Sequence, residues 1–317
     1  MLLRTLILLL LLLTLCCLAG CGGGSKEEVV SKVGGPMVLT LNRLDTASAG
    51  QARLYLTVVD SSTDAPAAGL KAANFTFQVN GAPAMPTVLT QQQTNIAPLS
   101  TALVLDRTAG MAGAKLTAMK AAAVDLVSHL RTQDEVEVVS FGLTGGMTVE
   151  QGFTSSKTSL ITAINAITAD SSSSPFFDAI AKAGLDTSLR PAGNNKAVVA
   201  LTDGGESSST YTTVTALGNY LKTLNIPIYT IGLGINHDIT RDRPLYYEDE
   251  DNLVSIAFKT DGEYFYIADS TALLGTYQRI LTRLQQQYII TLPVTGALTS
   301  LTVHTAADGY AGELAYP

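Results

Sequence analysis

The chain has 317 residues, 46% of them hydrophobic, and a formal net charge of −7, enough length for about two domains with real cores. An acidic chain without Lys/Arg clusters excludes a nucleic-acid-binding surface and a polybasic membrane face. The three cysteines, Cys16, Cys17 and Cys21, all sit near the start, so no disulfide framework holds a mature chain and stability rests on packing.

Residues 1–20, MLLRTLILLLLLLTLCCLAG, place one arginine before a long leucine run and then small residues, the pattern of a signal peptide. An ordinary cleaved peptide and a single membrane anchor both fit that pattern. The run ends in LAGC, which resembles the lipobox of bacterial lipoproteins. That resemblance implies that Cys21 becomes a lipidated N-terminus. Gly22 in place of aspartate implies sorting to the outer membrane. Residues 21–36 are rich in glycine, serine and charge and read as a flexible tether.

Residues 37–99 read as strands: MVLTL, ARLYLTVVD and FTFQVN are β-branched and aromatic runs, and Asn80-Gly81 signals a tight turn. Over 100–287 apolar strands alternate with helices. The strands are TALVLD, EVEVVSF, KAVVALTD, PIYTIGLG and EYFYIA. The helices lie near Ala114–Arg131, Lys157–Ile167, Phe177–Leu189, Thr213–Leu224, Asn252–Lys259 and Thr271–Gln286. Continuous apolar strands alternating with helices predict a parallel sheet covered on both faces, with ligands at the carboxyl ends of its strands. Asp106 and Asp203 fall at such ends. Residues 288–317 return to strands. The two flanks make either two separate β elements or one Ig-like β-sandwich with the α/β unit inserted. The sandwich is the more economical, because the tail alone has too few strands to be stable.

Three stretches carry chemistry, in order: VLDRTAGM, SSPFFDAI and VVALTDGGES. Singly, Asp106 reads as a helix cap, the serine run as a solvated loop and TDGG as a turn. Together, on these elements, they resemble the von Willebrand factor A domain over about residues 98–287. The resemblance implies a Rossmann-like α/β fold and maps a metal-ion-dependent adhesion site onto Asp106, Thr108, Gly110, Ser174 and Asp203. Thr108 and Ser174 keep the family's hydroxyls with the side chain swapped. Gly110 stands where the family has a third hydroxyl, and a water in the vacant position is the expected substitute.

The chemistry suits Mg²⁺ or Mn²⁺. Neutral hydroxyls ligate directly, while the two carboxylates hold waters and orient the hydroxyls. A cation held by neutral ligands stays electrophilic and attracts a carboxylate from a partner protein. The acidic run YYEDEDN at 246–252 reads as a solvated loop ahead of a helix. His129 lies one helical turn after Asp125 as a surface pair. His237 falls in a loop and His304 in a strand, and Tyr211, Tyr220 and Tyr229 read as packing. No Cys or His nucleophile arrangement, phosphate loop or zinc spacing is present. The expectation is a non-enzymatic, lipid-anchored binding module of the cell envelope. The alternative is a metal-independent docking component of an envelope assembly, favoured by Gly110.

Overall fold

The computed structural model describes residues 37–46, 50–60, 65–67, 69–92, 97–143, 146–170, 173–235, 248–307 and 310–316. The leader, Cys21, the tether, His237 and part of the serine run lie outside them.

Six strands form the central sheet: β6 (Leu99–Asp106), β7 (Glu135–Leu143), β8 (Gly146–Thr154), β9 (Asn195–Thr202), β10 (Ile228–Leu233) and β11 (Tyr264–Ile267). Their order is β11-β10-β9-β6-β7-β8, parallel except for the antiparallel edge strand β8. Every residue of β6 is buried, as expected of a strand covered on both faces. Alternate residues feed opposite cores. Leu103, Leu105 and Val138 pack under α1 (Ala114–Ser128), α2 (Lys157–Ala166) and α6 (Leu273–Gln285). Ala102, Val104 and Val139 pack under α3 (Phe176–Ser188), α4 (Val214–Leu224) and α5 (Glu248–Lys259).

Local chemistry sets the helix ends. Ser156 caps α2 by accepting from the Ser159 N–H at 3.3 Å, and Thr213 caps α4 by accepting from the Ala216 N–H at 3.1 Å. Asn225 ends α4 in the left-handed region at φ 53°.

Two elements depart from the sequence expectation. The stretch 146–154 is strand β8. It is half-buried at the sheet edge except at exposed Val149, so it shows neither a continuous apolar run nor clean alternation. The acidic run is not a solvated loop in its described part: α5 begins at Glu248, and Glu250 is buried. Glu250 also lies against Tyr264, whose hydroxyl it helps to keep protonated after burial itself, the larger cause.

The remaining strands are β1 (Met37–Asp45), β2 (Gln51–Asp60), β3 (Phe75–Val79), β4 (Ala82–Ala84), β5 (Val88–Gln92), β12 (Gln287–Pro293), β13 (Leu301–Ala307) and β14 (Tyr310–Tyr316). They form two four-stranded sheets, ordered β1-β2-β12-β5 and β14-β13-β3-β4. Each mixes strands from before and after the α/β unit. Leu54, Leu56, Phe77, Ile290, Leu292 and Val303 belong to one core between them. Asn80 and Gly81 join β3 to β4 with φ of 52° and 76°, the double left-handed conformation of a two-residue hairpin.

A buried polar chain ties these sheets to the α/β unit. The Tyr229 hydroxyl donates to Asn42 Oδ1 at 3.1 Å, Asn42 Nδ2 donates to Thr57 Oγ1 at 2.6 Å, and Thr57 Oγ1 donates to the Arg283 carbonyl at 2.9 Å. Arg283, itself buried, pairs with Glu263 and stacks over the Phe265 ring. Gln286 alone separates α6 from β12.

Candidate functional site

Asp106 is the last residue of β6, between β9 and β7, and is 1% exposed. Its Oδ1 accepts from the Thr108 N–H at 2.8 Å and its Oδ2 from the Thr202 hydroxyl at 2.7 Å. Burial pushes its pKa above the ordinary carboxylate value, against those hydrogen bonds; the nearby Asp203 charge pushes the same way. A carboxylate buried beside another carboxylate is a position where a cation is favoured.

Thr108 opens a short 3₁₀ turn, Ala109–Met111, that leads toward α1. The end of β7 presses on this loop. Gly142, at φ 104°, has no room for a side chain: a Cβ there would lie 2.7 Å from the Thr108 backbone nitrogen. Arg107 points away from the carboxylates, to Glu150 at 3.1 Å and the Thr168 hydroxyl at 3.2 Å.

Asp203 follows β9, and its side chain is 9% exposed. Lys115, in the first turn of α1, places its ammonium 2.6 Å from Asp203 Oδ2. The space beside Gly110 is not the vacancy the sequence suggested. A Cβ at Gly110 would lie 2.9 Å from Asp203 Oδ2 and 3.1 Å from Oδ1, so the carboxylate already fills it.

Ser174 is 6% exposed, and its buried hydroxyl has no hydrogen-bond partner among the described residues. Its backbone exchanges two bonds with Ser207: the Ser174 N–H donates to Ser207 Oγ at 3.0 Å, and the Ser207 N–H donates to the Ser174 carbonyl at 3.0 Å. Glu206 clamps the same two loops by accepting from the Phe177 N–H at 2.8 Å and the Ser209 N–H at 2.7 Å. Asp178 adds bonds from the Thr210 N–H and hydroxyl, both at 2.8 Å. The Asp249 carboxylate lies where a Cβ on Gly205 would stand, so α5 also abuts this loop.

The structure thus brings Asp106, Thr108, Gly110 and Asp203 together, and fastens the Ser174 loop to the loop that carries Asp203. Sequence reasoning missed Lys115, Gly142 and Glu206. A lysine in the first helical turn, against the helix dipole, was a readable signal; the other two depend on tertiary approach. His129 pairs with Asp125 at 3.5 Å on the surface, and Tyr211 stacks on Tyr220.

The candidate donors are all oxygen: two carboxylates, a threonine hydroxyl and a buried serine hydroxyl without a partner among the described residues. Buried polar groups nearly always have a partner, and hard divalent cations take such donors. The residues fit a hard divalent cation, with Lys115 holding one of the carboxylates.

The von Willebrand factor type A domain model matches residues 102–279. The fold is similar to that of a von Willebrand factor type A protein from Catenulispora acidiphila (TM-score 0.52, 13% identity, 88% of this chain and 72% of that one). It is also similar to proximal thread matrix protein 1 from the mussel byssus, solved with zinc in its metal-ion-dependent adhesion site (TM-score 0.52, 16% identity, 65% of this chain and 50% of that one). An uncharacterized protein of Synechocystis sp. is 23% identical over 188 residues, which cover 59% of this chain. The match spans 42% of that relative's length. Since the family model takes in more than half of its residues, the chain belongs to the von Willebrand factor type A domain family.

Proposed function

We propose that this protein is a lipid-anchored binding module of the bacterial cell envelope that recognises a partner protein through a divalent cation at the β6 and β9 ends. The observation that carries the reading is the juxtaposition of buried Asp106 with Asp203, next to loops that bury a Ser174 hydroxyl with no partner among the described residues. Thr108 and Ser174 would hold the cation through their hydroxyls, and Asp106 and Asp203 would neutralise it and orient its waters. A hard cation there supplies an electrophilic centre for a carboxylate on the partner. The zinc held by the mussel byssus protein at its adhesion site supports a divalent ion in this fold.

In this reading Cys21 carries the lipid, 21–36 is the tether, and the protein sits at the outer membrane. Residues 37–99 and 288–317 form one Ig-like β-sandwich that presents the type A domain at 100–287. The core shared by β2, β3, β12 and β13 supports that division. The module binds without turnover.

Lys115 and Gly110 favour a second reading, a metal-independent docking component of an envelope assembly, because Asp203 is already neutralised. One pull-down from native envelope separates the two. The full chain is expected to capture its partner in Mg²⁺ or Mn²⁺, lose it in EDTA and regain it when the ion is restored. Capture that persists unchanged in EDTA establishes the second reading instead.

A further inference from the structure

Lys115 is an odd choice for its position. It stands in the first turn of α1, where a cation opposes the helix dipole. Its ammonium nevertheless reaches across to Asp203 Oδ2 at 2.6 Å. Asp203 can be reached because its carboxylate lies over Gly110. A Cβ at that residue would stand 2.9 Å from the same Oδ2, closer than real Cβ contacts come. A serine at 110 would push the carboxylate off the loop and away from Lys115. The missing hydroxyl and the lysine are therefore two halves of one arrangement.

We infer that Lys115 is the resident counter-cation of this site and that Gly110 is what lets Asp203 reach it, so that Asp203 must leave an ammonium before it can serve a divalent ion. The arrangement sets a threshold. At low divalent concentration the ammonium neutralises the Asp106–Asp203 pair, and only a sufficient ion concentration frees Asp203. The inference rests on the cation-dependent reading above and adds its regulation.

The test is Mn²⁺ titration of the purified full chain, followed by the electron paramagnetic resonance signal of free Mn²⁺. Wild type, Lys115→Met, Lys115→Arg, Gly110→Ser and the Lys115→Met/Gly110→Ser double variant are compared. Removing a unit charge that shares a carboxylate with the ion should tighten Mn²⁺ binding of Lys115→Met about tenfold or more. Lys115→Arg keeps the charge and should stay near wild type. Gly110→Ser should also tighten binding. In the Lys115→Met background only the part due to the added hydroxyl should remain, because the displacement of Asp203 acts through the same contact that Lys115→Met removes. Without metal, Lys115→Met should melt lower than wild type, and Mn²⁺ should restore it. Lys115 is 39% exposed, so the variant keeps its fold. Equal Mn²⁺ affinity of wild type and Lys115→Met overturns the threshold while leaving the cation-dependent reading intact. No Mn²⁺ binding by any variant overturns both. Fully multiplicative effects of the two substitutions overturn the link between Gly110 and Lys115.

Discussion

The two ends of the central sheet treat their carboxylates differently. At the amino end, fully buried Asp134 accepts from the Leu99 N–H at 2.9 Å and from the Arg131 N–H, Nε and Nη2 at 2.9, 3.0 and 2.7 Å. Glu135 takes a two-point grip from Arg190 at 2.8 and 2.6 Å and a bond from the Ser100 hydroxyl at 2.7 Å. Burial would raise the Glu135 pKa, but those bonds and the Arg190 charge outweigh it and hold it below the ordinary value. At the carboxyl end, Asp106 and Asp203 have hydroxyls, backbone N–H groups and one flexible lysine. Guanidinium forks fix a carboxylate in place and saturate it. A lysine and hydroxyls leave it able to exchange partners. One end of the sheet is finished as structure, and the other is left available for binding.

The largest test of that contrast is Asp134→Ala. It strips partners from Leu99, from the Arg131 backbone and from the Arg131 guanidinium, and should destabilise the fold by about 3 kcal/mol in urea melts. Mn²⁺ binding by the surviving folded protein should be unchanged. A loss under 1 kcal/mol, on the order expected of exposed pairs, would mean that the amino-end carboxylates are not the structural ones.

Next comes Gly142→Ala. The new methyl must enter the space of the Thr108 backbone in a left-handed conformation, at a cost of about 1–3 kcal/mol. Here the loss should fall on both readouts, stability and Mn²⁺ affinity, because the displaced atoms belong to the site loop.

A smaller effect is expected from Glu137, buried on β7 between the two ends. Burial, then the charge of Asp186, raises its pKa from 4.5 to about 7. Between those values the folded carboxyl keeps a proton that the unfolded chain has lost. Its contribution is therefore fully present below pH 4.5 and lost as pH rises to about 7. Glu137→Gln should flatten the fall of melting temperature across that window and leave the Mn²⁺ titration unmoved. A melting curve as steep as that of wild type would assign the pH dependence elsewhere.

The smallest stability effect belongs to Asp203→Ala. Its lysine partner is partly exposed, so roughly 1 kcal/mol or less should be lost. The Mn²⁺ response should disappear entirely. The inverse ranking of Asp134→Ala and Asp203→Ala on the two measurements is the contrast stated as numbers.

The central sheet was legible because β6, β9 and β10 are buried on both faces, which turns them into unbroken apolar runs. The helices between them were legible by period and cap. Strand β8 was not, since an edge strand half-buried at all but exposed Val149 has no pattern to detect. The start of α5 was hidden for the opposite reason: Glu248 to Asp251 look solvated, yet Glu250 faces Tyr264 in the interior. At the site, the sequence places Asp106 and Asp203 at strand ends but does not show where their side chains turn. Whether Gly110 leaves a hole or makes room for a neighbour depends on Asp203, which lies far from it in the chain. That is a fact of tertiary approach, as is the pressure of Gly142 on Thr108.

Strand β12 lies between β2 and β5, and β13 lies against β3. β2, β3 and β5 thus each gain a partner that is made only after the whole α/β unit has been synthesised. A chain emerging amino end first can complete its central sheet while β2 and β5 still present open edges. Such long-range pairing is slow relative to local contacts and exposes strand edges meanwhile. The refolding record should therefore separate into an early phase at the α/β core and a late one at Tyr288, whose hydroxyl closes on the Ala67 carbonyl and the Leu70 N–H. The order of synthesis makes the last strands the clock for the first ones.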